Sequence, residues 1–172
     1  MSALKAAPVA TLIVVLAGVG WYVATKPDPR LVSLREKLVL ASEPADPLTP
    51  TEVKESFIEP TEFALAGRVD AGEMEPFEDG KATFVLSQLP DKAHAGGDPN
   101  HADNCPFCKR KLRLAPKVMV QFLDAEGNII AVDARDLFEI EKGAAVVVQG
   151  RGQYVEAINS VQMDAAGIFV RR

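Results

Sequence analysis

A chain of 172 residues with a net charge of −5, 48% hydrophobic and 25% charged residues is long enough for one ordinary domain plus an appendage. The acidic balance argues against a general nucleic-acid binder, which carries a basic surface. Only two cysteines are present, both in one C-x-x-C, so no disulfide framework can be drawn and the pair reads as a site.

From Ala6 to Thr25 the chain reads AAPVATLIVVLAGVGWYVAT, twenty residues without a charge. A helix needs about 20 such residues to cross a hydrocarbon core of about 30 Å. Pro8 stands near its start, where a missing N–H is harmless, and Trp21 and Tyr22 stand where an interfacial aromatic belt belongs. The alternative is a cleaved signal peptide, but no A-x-A site closes the run. Residues 1–26 are therefore expected to form a single-pass anchor in a bacterial-type cytoplasmic membrane, touching the bilayer through residues 6–25. The count of Lys26, Arg30, Arg35 and Lys37 against Lys5 and the terminal amine favours a cytoplasmic C-terminal domain.

Residues 27–60 read as a spacer. Asp28 can cap a helix and Pro29 can open it, and Leu31, Leu34 and Leu38 then recur at helical spacing. This predicts a short amphipathic helix near the membrane surface. SEPADPLTP, residues 42–50, is extended linker, and Thr49-Pro50-Thr51-Glu52 carries a capping-box pattern that predicts one more short helix to about Phe57.

From Thr61 the texture becomes that of strands. FALAGRVDA (63–71), ATFVLSQL (82–89), KVMVQFLD (117–124), NIIAVDA (128–134), AAVVVQGRGQYV (144–155), EAINSVQM (156–163) and GIFVRR (167–172) are apolar-rich runs bounded by turn residues. RDLFEIEKG between the fourth and fifth runs reads as a short helical or turn piece, with Asp133, Asp136 and Glu139 as turn and surface residues. The expected class is all-β, a small barrel or sandwich over residues 61–172. An opening strand ending in Gly67-Arg68-Val69, the stretch DLFEIEKGAAVVVQGRGQ (136–153) and a closing EAINSVQM resemble the OB-fold, a five-stranded barrel. Within that class, residues 61–163 resemble the membrane-anchored CcmE-type haem chaperones of cytochrome c maturation. That resemblance implies an OB-like barrel on the exported, periplasmic face of the membrane, against the charge count. The family attaches haem through a histidine in a short tail, whereas SVQMDAAGIFVRR (160–172) has neither histidine nor tyrosine, so covalent haem binding does not carry over.

Residues 89–116 interrupt the strands as an insertion with no apolar periodicity, and they hold every histidine and cysteine of the chain. A loop of this length without a core is either disordered or organised from outside, and a metal is the simplest organiser. His94, His101, Cys105 and Cys108 follow the spacing H-x6-H-x3-C-x2-C, two thiolates and two imidazoles that can close a tetrahedral structural zinc site. An iron–sulfur cluster or copper also suits such donors. The haem-attachment signature fails, because Lys109 and not histidine follows the second cysteine. Cys-Pro-Phe-Cys also resembles the C-x-x-C of glutaredoxin-type thiol–disulfide proteins, although no βαβ pattern surrounds it. Lys109, Arg110, Lys111 and Arg113 follow at once and offer docking for an anionic partner.

An OB-type nucleic-acid or polymer binder would need aromatic platforms, yet Phe63, Phe84, Phe122 and Phe138 fall in apolar runs that suit a core. The lack of any histidine outside the insertion argues against a Ser-His-Asp triad, and no enzyme is expected. The expected function is a membrane-anchored binding module whose metal-organised loop serves a protein partner in metal or cofactor handling or in a membrane-associated complex. A thiol–disulfide accessory and a polymer binder are the alternatives.

Overall fold

The computed structural model describes residues 28–96, 98 and 101–172. The expected anchor, residues 1–26, lies outside the described residues. Among the described residues no helix is long and apolar enough to cross a membrane. The chain divides after Ser33 into two units, a break inside helix α1 (Pro29–Leu38), and the second unit, Leu34–Arg172, holds every other described element.

The helix signals of the spacer hold. The Asp28 carboxylate accepts a hydrogen bond from the Arg30 N–H at 2.8 Å, capping α1 behind Pro29. Helix α2 (Pro50–Ser56) carries the full capping box: Thr49 Oγ1 accepts from the Glu52 N–H and the Glu52 carboxylate accepts from the Thr49 N–H. Val53, fully buried, pins α2 to the sheet.

Five strands follow, β1 (Thr61–Val69), β2 (Thr83–Ser87), β3 (Lys117–Phe122), β4 (Ala145–Val155) and β5 (Ser160–Val170). Their order is β1-β2-β3-β5-β4, and β4 pairs back to β1, so the ladder closes on itself. β3 and β5 run parallel, from Lys117↔Ser160 to Phe122↔Ala165, and the other pairs are antiparallel. Alternation in β3 places Val118, Val120 and Phe122 fully inside and leaves Met119 45% exposed. Inside, the Phe84, Phe122 and Phe138 rings pack on one another, with 4.6 Å between the Phe122 and Phe138 centroids. Each such side chain contributes about 1.5–3 kcal/mol by burial. Phe63 is buried as well, stacked on Phe57, so these four aromatics are core residues.

Three expectations are corrected. NIIAVDA is not a strand: Ile129 makes one bridge to Leu123, and the chain then turns because Asp133 caps helix α6 (Ala134–Phe138). EAINSVQM and GIFVRR are not two strands. A 3-10 turn (Glu156–Ile158) precedes a single β5, which runs through Asp164–Gly167 without turning because that stretch pairs with Gln149–Arg151 of β4. The insertion between the antiparallel neighbours β2 and β3 is not irregular. It contains α3 (Lys92–Ala95), α4 (His101–Asn104) and α5 (Pro106–Leu114).

Two residues outside the core hold this frame. Arg35 in α1 donates to the carbonyls of Leu137 and Asp136 at 2.9 and 2.5 Å and pairs with Glu139 at 2.7 Å. Asp133 accepts from the Arg135 N–H and side chain and from the Gly80 N–H, and the Arg135 guanidinium holds its carboxyl well below the usual carboxylate range. Replacing Asp133 by Ala removes this cap and should destabilise the protein by about 1–2 kcal/mol in urea unfolding. Gly150 sits at the register shift between β4 and β5, where a Cβ would lie 2.7 Å from the Ala165 Cα and closer still to the Asp164 carbonyl. Gly150→Ala should cost about 2–3 kcal/mol in the same assay through backbone overpacking, and an unchanged midpoint would contradict that crowding.

Candidate metal centre

The insertion gathers all four expected ligands. One donor atom from each of His94, His101, Cys105 and Cys108 lies within 4.8 Å of the others. His94 comes from α3 and His101 opens α4. Cys105 is the N-cap of α5, and Cys108 stands in its first turn. Pro106 occupies the first helical position, where its missing N–H costs nothing. It therefore starts a helix and does not simply shape the turn of a loop.

Distances fit a common ion. Bonds of about 2.3 Å to sulfur and about 2.0–2.1 Å to nitrogen set tetrahedral donors roughly 3.3–3.8 Å apart. His94 Nε2 lies 3.6 Å from Cys105 Sγ, inside that range, and the whole set needs to close by roughly 1 Å. The His94 and His101 rings meet edge to face with centroids 4.9 Å apart. His101 Nε2 is buried with no hydrogen-bond partner. A buried imidazole nitrogen left so costs about 1–3 kcal/mol, a cost that a bound cation would remove. The residues therefore fit a metal ion. Together His94, His101, Cys105 and Cys108 form a His2Cys2 cluster that could hold one.

The two thiols are electrically unequal. Cys105 is pulled down to about 6, first by the Cys108 backbone N–H in the opening turn of α5 and next by the His94 ring. Cys108 moves the other way, raised by desolvation and by the adjacent Cys105 sulfur. Without a metal the pair near neutral pH thus holds one thiolate, on Cys105, and one thiol. No βαβ pattern surrounds Cys105, yet a helix N-terminus stands there all the same.

Helix α5 presents the basic run. Cys105, Cys108, Leu112 and Ala115 form its half-buried stripe, while Lys109, Arg110, Lys111 and Arg113 are exposed. Phe107 and Leu114 stand among them 86% and 68% exposed. Seven residues apart, they share the face of Arg110 and Lys111. Alongside this face a cleft of about 850 Å³ opens between the insertion and the sheet, with His94, Phe107, Cys108 and Lys111 in its wall beside Leu89 and Leu112. Its far wall carries Glu43 and Arg171, which pair at 2.5 Å. Sequence reasoning missed that wall, since nothing local ties residue 43 or 171 to the C-x-x-C. The exposed Phe107 was legible only as one of the two residues between the cysteines. Searches of family models and of curated proteins return no match to this chain.

With metal removed by chelation, iodoacetamide should label Cys105 before Cys108, with a rate that rises through pH about 6 as the thiolate forms. His94→Ala should move that midpoint upward. Equal labelling of both cysteines, rising only near the ordinary thiol range, would contradict the assignment.

Proposed function

We propose that the protein is a non-enzymatic, membrane-anchored binding module in which a zinc ion organises the insertion of an OB-like barrel. The observation that carries this reading is the convergence of the His94, His101, Cys105 and Cys108 donors within 4.8 Å. His101 and Cys105 through Cys108 would hold the ion against the start of α5, and His94 would complete the set from α3. Four protein ligands give the closed coordination of a structural zinc, which supplies folding free energy and leaves no open position for catalysis. The closed five-stranded ladder with its parallel β3–β5 pair supports the OB-like reading.

The metal would fix α5, and α5 would carry the interaction. Phe107 and Leu114 offer apolar anchors, ringed by Lys109, Arg110, Lys111 and Arg113, which suits an acidic protein partner in metal or cofactor handling or in a membrane-associated complex. Residues 6–25 would tether this surface to a bacterial-type cytoplasmic membrane, on its exported face. A second reading, thiol–disulfide exchange, draws on one observation: Cys105 at a helix N-cap with its thiol lowered to about 6.

Metal content of the full chain, purified in detergent without chelator beside a Cys105→Ser/Cys108→Ser variant, separates these readings. About one zinc per chain, lost in the variant, is the expected result. Iron with visible absorbance would replace zinc by a cluster. A metal-free chain with a reducible Cys105–Cys108 bridge would overturn the metal reading in favour of exchange.

A further inference from the structure

The four donors are unequally placed. His101, Cys105 and Cys108 are half-buried and fall within eight residues, whereas His94 is exposed and belongs to a separate short helix. Gly96, with φ of +60°, breaks the chain just after that helix. Three ligands are thus held by one compact piece of chain, and the fourth arrives from outside it.

The exposed ligand also faces open space, with Cys108 beside it. His94 and Cys108 line the cleft of about 850 Å³, a volume within the roughly 300–1,000 Å³ of small-molecule sites. A molecule in this cleft reaches the metal position from the side of His94. Apart from the Glu43–Arg171 pair, the cleft carries equal numbers of opposite charges, Asp91 and Asp98 against Lys111 and Arg172. Its remaining surface is largely apolar, with Leu89, Phe107 and Leu112 contributing. Balanced charges around an apolar wall suit a zwitterion better than a simple anion. A centre already built on two thiolates favours a further soft donor over a neutral imidazole.

We infer that His94 is the exchangeable ligand of the centre, and that the cleft delivers its replacement, a small zwitterionic thiol of the cysteinyl-peptide class. The inference rests on the metal reading above. In the exchange the metal–nitrogen bond to His94 breaks and a metal–sulfur bond forms. The incoming thiol gives its proton to the freed imidazole, and no electrons are transferred.

The test uses the full chain in detergent loaded with cobalt(II), whose thiolate charge-transfer absorbance counts sulfur ligands. Glutathione should raise that absorbance saturably by about half, as two thiolates become three. It should do so at about tenfold lower concentration than 2-mercaptoethanol, which has no peptide to fill the cleft. S-methylglutathione should leave the spectrum unmoved. His94→Ala should retain cobalt and reach the same final spectrum at lower glutathione concentration, and His101→Ala should not. A cobalt spectrum that glutathione does not move, equal potency of the two thiols, or identical behaviour of the two histidine variants would overturn the inference while leaving the metal centre intact. A chain with no thiolate–cobalt band before any thiol is added would instead overturn the metal reading beneath it.

Discussion

The insertion depends on one convergence, the meeting of two sulfurs and two imidazole nitrogens within 4.8 Å at the start of α5. Left to themselves these groups conflict. His101 Nε2 is buried without a partner, and the adjacent sulfurs push their thiols in opposite directions. Among the described residues of the insertion there are no fully buried side chains of the kind that hold the sheet, apart from residues at its two ends. A cation shared by four donors would resolve the conflict and supply the missing core in one step.

The sheet makes such an insertion cheap. β2 and β3 are antiparallel neighbours, paired from Thr83↔Gln121 to Leu86↔Val118, so the chain leaves and returns at adjacent positions. Lengthening a loop between fixed ends costs only about 0.6 kcal/mol per doubling. The ladder closes through β1 and β4, and no ring of the Phe84, Phe122 and Phe138 cluster belongs to the insertion. Fold and site are therefore separable: a closed sheet, and an attachment with a His2Cys2 cluster that could hold a metal ion, which carries the exposed Phe107 and the basic residues of α5.

Local signals were legible in the sequence where local chemistry decides the structure. Thr49 and Glu52 announced α2, Asp28 and Pro29 announced α1, and the alternation of Val118, Val120 and Phe122 announced β3. The four ligands were legible because so few histidines and cysteines exist in the chain and all lie together. What failed was decided by pairing at a distance. Asp164-Ala-Ala-Gly looks like a turn but is held straight by β4, and Ile129-Ile130 looks like a strand but lacks a continuous partner. Helix α5 failed for a different reason: its Lys and Arg residues favour helix as much as solvent, and a proline in Pro106's place suits a turn as well as the helix start it marks. The cleft had no sequence signal, since Glu43 and Arg171 meet only through the closed sheet.

The central claim is that one ion is held by two sulfurs and two nitrogens of this insertion. X-ray absorption at the zinc edge of the purified full chain reads that ligand set directly. The account predicts two sulfur scatterers at about 2.3 Å and two imidazole nitrogens at about 2.0–2.1 Å. A shell of oxygen and nitrogen alone, with no sulfur, would place the zinc elsewhere and contradict it.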